Sequence, residues 1–116
     1  MPNPSAFAKT PEPPYYAVIF TSQRAGPEHG YDPMAERMAE LASRQPGFLG
    51  METVRGADGF GITVSYWESA QAIMAWRSDV QHQAAQEAGQ KLWYADYQLR
   101  VAKVERAYGR GTRPHS

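Results

Sequence analysis

Cysteine is absent from all 116 residues, which excludes a disulfide framework, a thiolate metal site and a thiol nucleophile. Net charge is absent too. Twelve Lys and Arg balance twelve Asp and Glu, so no long-range field gathers nucleic acid or an anionic membrane, and neither is expected as a partner. Long apolar runs are missing: the stretch from Tyr15 to Phe20 falls far short of the roughly 20 residues of a membrane helix. The opening segment has prolines at 2, 4, 11, 13 and 14 but no basic-then-apolar pattern. It therefore does not read as a signal peptide, and the expected location is the cytoplasm. Histidine is sparse, at positions 29, 82 and 115, and no His/Asp/Glu set has metal-ligand spacing. The glycines fall in turns rather than at strand-to-helix junctions, so no phosphate cradle is expected.

A chain of this length supports one domain, because halving it would leave each core too small to bury enough apolar surface. Residues 1–14 read as an extended Pro-rich arm, 15–108 as the folded domain and 109–116 as a flexible basic tail. Tyr15 to Ser22 is aromatic and β-branched, with apolar residues in both phases of the alternation. That pattern suits a central strand covered on both faces. Asp32 as N-cap and Pro33 as first helical residue open a helix in which Met34, Met38 and Leu41 recur at helical spacing, ending before Pro46 and Gly47. Phe48 to Arg55 and Gly61 to Trp67 are strands joined by a Gly- and Asp-rich hairpin loop. In the second of them Ile62, Val64 and Tyr66 are expected on the core face, with Thr63, Ser65 and Trp67 on a mixed face.

Ser69 caps a second helix with an expected buried stripe of Ala70, Ile73, Met74 and Trp76, and Asp79 suggests a kink within it. Trp93 to Tyr108 reads as a long last strand, where a slip in apolar phase after Val101 suggests a bulge. The order strand, helix, strand, strand, helix, strand is the split βαβ plan: an α+β, ferredoxin-like fold with a four-stranded antiparallel sheet and both helices on one face. A second copy of the sheet is the simplest cover for the other face, so a homodimer is expected.

Three segments then carry a resemblance: Gln45 to Gly50 (QPGFLG), Ile62 to Ser69 (ITVSYWES) and Trp76 to His82 (WRSDVQH). In this order and spacing they resemble the antibiotic biosynthesis monooxygenase family over about Tyr15 to Tyr108. The resemblance implies a dimeric α/β barrel whose subunits each bind a small molecule between sheet and helices. It further implies oxidation of a small aromatic or quinol-type metabolite by oxygen, with no cofactor. The family's heme-degrading relatives use a Trp on the second helix, a His ten residues later and an Asn on the first strand. Trp76 matches the first, but Gln86 stands at the second position, and Thr21, Ser22 and Gln23 replace the Asn. An amide is no substitute for an imidazole as axial iron ligand, so heme degradation is not expected.

His82, with an unperturbed pKa of about 6.5, is the candidate general base toward a phenol or enol; a half-exposed helix histidine is the alternative. Ser22, Arg24, Thr63 and Ser65 are candidate polar contacts to substrate. Trp67 and Trp76 are candidate aromatic walls, and equally ordinary core material. A non-catalytic small-molecule binder, or a stress-related dimeric module, is the alternative to an enzyme.

Overall fold

The computed structural model describes residues 7–23, 33–86 and 96–110. Its elements run β1 (Tyr15–Gln23), α1 (Pro33–Ser43), β2 (Phe48–Arg55), β3 (Phe60–Trp67), α2 (Ala70–Gln86) and β4 (Asp96–Val104). All strand pairs are antiparallel and the sheet order is β2-β3-β1-β4, so β1 is central as its double apolar pattern requires. Along β1, Val18 and Phe20 join Met38, Leu41 and Ala42 of α1, Ile73 and Trp76 of α2, and Trp67 of β3 in one buried cluster. Tyr15, Ala17 and Ile19 alternate onto the opposite face.

The two faces of β3 are reversed from expectation. Trp67 is fully buried in the helix-side cluster and Ser65 is buried beside it, while Ile62, in the other phase, is 37% exposed. Alternation shows that two faces differ, not which one the helices cover. The largest ring decides it, because Trp67 has the most apolar surface to withdraw from water.

The bulge is also elsewhere. β4 pairs with β1 in unbroken register from Tyr15↔Val104 to Gln23↔Asp96, and the register shift lies in β2 between Phe48 and Gly50. The apolar phase slip in β4 has a different cause. Leu99 faces the helix-side core, whereas Ala102 and Val104 pair with Ala17 and Tyr15, which are buried on the other face.

Helix α2 runs as one continuous α-helix from Ala70 to Gln86, through Asp79. The Asp79 carboxylate accepts a hydrogen bond from the Gln45 side-chain amide at 2.9 Å, which ties the α1–β2 loop to α2. Ser69 caps as expected, its Oγ accepting from the Ala72 N–H at 3.1 Å. The buried stripe is narrower than expected: Ile73 and Trp76 are buried, whereas Met74 is 67% exposed and Ala70 is exposed.

Gly47 shows why the α1–β2 loop needs a glycine. Its φ is +90°, and a Cβ there would stand 2.7 Å from the Ala72 Cβ, an approach that lets the Glu68 N–H reach the Gly47 carbonyl at 2.9 Å. Gly47→Ala is expected to cost about 1–3 kcal/mol from backbone conformation alone, with the clash added. Urea denaturation measures the loss. In the Ala72→Gly background only the clash is relieved, so a partial rescue is expected.

On the sheet face away from the helices, the arm preceding β1 makes a specific contact. The Glu52 carboxylate accepts from the Ala8 N–H at 2.9 Å and from the Tyr66 hydroxyl at 2.7 Å. The Tyr15 ring meets Tyr66 edge-on at 5.9 Å, and its hydroxyl accepts from Thr10 at 3.0 Å. Burial, and then the adjacent Glu52 carboxylate, hold the Tyr66 phenol well above its usual range. A raised folded-state pKa means a stabilising contribution that is complete below the unfolded value of about 10 and is lost as pH rises above it. Melting temperature is therefore expected to fall more steeply above that pH in the wild type than in Tyr66→Phe. Equal slopes would show that the Tyr66–Glu52 bond does not form.

Candidate functional site

Among the described residues on the helix side of the sheet, two neighbouring hollows share Met38 and Trp76 as walls. The first lies between α1 and strands β1, β2 and β3, bounded by Phe20, Met51, Thr63 and Ser65. It leaves only about 10 Å³, room for about one water molecule. The second is a groove of about 200 Å³ between α2 and β4, lined among the described residues by Arg77, Val80 and Gln81 on the helix and Tyr97, Leu99 and Val101 on the strand. Antiparallel pairing sets this geometry. Phe20 is opposite both Thr63 and Leu99, so the floors of the two hollows are one continuous row across three strands.

Thr63, Ser65 and Trp76 are brought together at the first hollow. Their polar atoms are engaged with one another's neighbours. Thr63 Oγ1 is 2.7 Å from Thr53 Oγ1, Ser65 Oγ accepts from the Trp67 indole N–H at 2.9 Å, and the Trp76 indole donates to the Met38 carbonyl at 3.1 Å. Trp67 lines neither hollow. It packs behind them, 5.3 Å from Trp76 and 5.5 Å from Phe48 between ring centroids.

Ser22 is buried and its Oγ accepts from the Arg55 guanidinium at 2.9 Å; the same guanidinium donates to the Gly59 carbonyl in the β2–β3 turn. Arg24 lies outside the described residues. His82 is exposed and lines neither hollow. The reason is helical phase: at 100° per residue it is turned roughly 160° from Val80, which faces the groove.

Residues that the sequence reading did not single out complete the groove: Arg77, Gln81, Val80 and Val101. Position 77 follows the inward Trp76 and precedes Gln81 by one helical turn, a spacing that puts the two polar side chains on one face. Tyr97 packs against Phe20 at 5.5 Å and stands on the opposite wall. The groove therefore mixes apolar surface from Trp76, Val80, Leu99 and Val101 with three polar side chains. Such a site orients a small, flat, amphipathic molecule. Among the described residues there is no group of three or more metal-ligating side chains, and no helix is long and apolar enough to cross a membrane.

Fold and site together define a ferredoxin-like α+β domain with a ligand-sized groove between helix and sheet. Residues 14–88 match the family model for antibiotic biosynthesis monooxygenase, and the chain belongs to that family. It is 61% identical over 99 residues to the uncharacterized protein YqjZ of Bacillus subtilis (strain 168), an alignment that covers 85% of this chain and 87% of YqjZ. The fold is similar to that of SnoaB, a cofactor-independent oxygenase from Streptomyces nogalater, at TM-score 0.59 and 15% identity, covering 84% of this chain and 97% of SnoaB. It is likewise similar to a Chloroflexus aurantiacus J-10-fl protein bearing the family's name, at TM-score 0.55 and 18% identity, covering 85% and 99% of the two chains.

Proposed function

We propose that this protein is a cofactor-independent monooxygenase, or a related oxidoreductase, that binds a small aromatic or quinol-type metabolite in the α2–β4 groove and works as a homodimer. The observation that carries this reading is the groove itself, where Trp76, Leu99 and Val101 bring apolar surface beside the polar side chains of Arg77, Gln81 and Tyr97. In such chemistry the substrate loses a proton and the resulting anion passes one electron to oxygen. The radical pair couples to a peroxide, and loss of water leaves a new carbonyl: one oxygen atom enters the product and the other leaves as water. The protein's part is to hold the ring, exclude bulk water and stabilise the anion. Family membership and the likeness of fold to a cofactor-independent oxygenase support the reading.

The test is oxygen uptake with naphthalenediols as probes, in the presence of a chelator and without flavin. Val101 is half exposed at the groove, so Val101→Trp fills the groove without disturbing the core. It is expected to lower kcat/KM at least about tenfold, since a misplaced wall costs both binding and orientation. His82→Ala is expected to leave uptake within about twofold, because the imidazole is on the exposed side of α2; a loss of about a hundredfold would restore it as the general base. Saturable probe binding with no oxygen consumed by the wild type would overturn the oxygenase reading in favour of a ligand binder.

A further inference from the structure

Resting on the reading of the α2–β4 groove as a ligand site, we propose that its ligand is a small aromatic acid, with the ring against Trp76 and Leu99 and the carboxylate held by Arg77. The cations in α1 and just after it are matched within the fold. Arg37 and Arg44 both pair with Glu40, at 2.8 and 3.3 Å. Arg55 is engaged by Ser22 and Gly59. Arg77 takes part in no ion pair or hydrogen bond with the described residues, and unlike Arg100 and Lys103, of which the same is true, it lines the groove, where none of the described lining residues is a carboxylate.

A guanidinium without an ion-pair partner, set beside ring and aliphatic surface, is matched to a planar organic anion, because its two-pronged donor set fits a carboxylate. Gln81, one turn further along α2, and the Tyr97 hydroxyl across the groove are further donors on the same margin. Trp76 supplies only ring surface, since its N–H is taken by the Met38 carbonyl at 3.1 Å. The volume sets the size. About 200 Å³ lies below the 300–1,000 Å³ of sites for larger ligands, which limits the ring system to one or two fused rings.

The test compares 2-naphthoate with its neutral isostere 2-naphthamide by calorimetric titration at neutral pH, with no oxygen consumption required. The acid is expected to bind at least about tenfold more tightly, and to lose most of that advantage at ~0.5 M salt because the charge is at the groove edge. Arg77→Gln is expected to bring acid and amide within about twofold of each other; Arg77→Lys retains part of the preference, as a point charge without the fork. Circular dichroism confirms that each variant is folded. Equal affinities in the wild type, a preference that survives Arg77→Gln, or no binding of either probe would each overturn the proposal. An acid preference without oxygen uptake on any probe leaves this proposal standing and removes the oxygenase, whereas uptake with neutral quinols and no acid preference does the reverse.

Discussion

Trp67→Ala is expected to destabilise the domain by about 3–5 kcal/mol, in the range for removal of a fully buried Trp. That is a large share of the ~5–15 kcal/mol by which a domain of this kind is folded. Trp67 has no exposed surface, packs edge-on to Phe48 and tilted against Trp76, and donates its indole N–H to the buried Ser65 hydroxyl. Truncation removes both ring contacts and takes the indole donor from Ser65, and the surrounding β2, β3 and α2 cannot collapse to fill so large a space. Trp67→Phe keeps most of the ring volume and is expected to lose less than half as much. Thermal and urea unfolding measure both variants. A loss below about 1.5 kcal/mol for Trp67→Ala would contradict the placement of the Trp67 face of β3 under the helices.

Ile62→Lys is expected to halve the sedimenting mass, from twice 13.0 kDa to 13.0 kDa, without unfolding the subunit. Ile62 is on the other face of β3, between Thr21 and Val54, and Val54 is 67% exposed. Together with Ile19 and Val64 these side chains make an apolar surface in the middle of the sheet. In the single subunit a lysine there reaches water. In the proposed two-fold dimer the same substitution buries an unpaired ammonium from each copy at one interface, at a cost of several kcal/mol apiece. Sedimentation of the wild type as a monomer at micromolar concentration would remove the dimer. The two variants also separate the faces by concentration dependence: the stability lost by Trp67→Ala is independent of protein concentration, whereas anything lost at Ile62 depends on it.

Element order, strand pairing and the central place of β1 are legible in the residues. The loop at Gly56 to Phe60 closes as its composition implies, the Asp58 carboxylate accepting from the Phe60 N–H at 3.0 Å and the Gly56 N–H donating to the Phe60 carbonyl at 2.8 Å. Pro33 does begin α1, and Met38 and Leu41 do face the core. Side-chain roles are less legible. Met74 and Trp76 looked equivalent as apolar residues of α2, yet one is exposed and the other nearly buried, because α2 meets the core along a stripe made by Ala72, Ile73, Trp76 and Val80.

The candidate site divides in the same way. Trp76, Thr63 and Ser65 could be placed near one another from strand phase and helix position. Arg77 and Gln81 could not be distinguished from an ordinary solvated face, and His82 drew notice only for its chemistry. What separates them is the rotation of α2 about its axis, which no residue of α2 specifies alone. Packing of Ile73 and Trp76 against Trp67 and Val18 fixes that rotation, turning Arg77 toward β4 and His82 to the exposed side.

The sequence by itself determined the fold class, the strand order and the family, since these follow from local periodicity, turn residues and the spacing of a few motifs. Only the tertiary structure decided which face of β3 is core, where the bulge falls and which polar side chains border the groove. Each of those depends on which of two nearly equal apolar faces meets the helices, and that is settled by the joint packing of several elements rather than by any segment's own pattern.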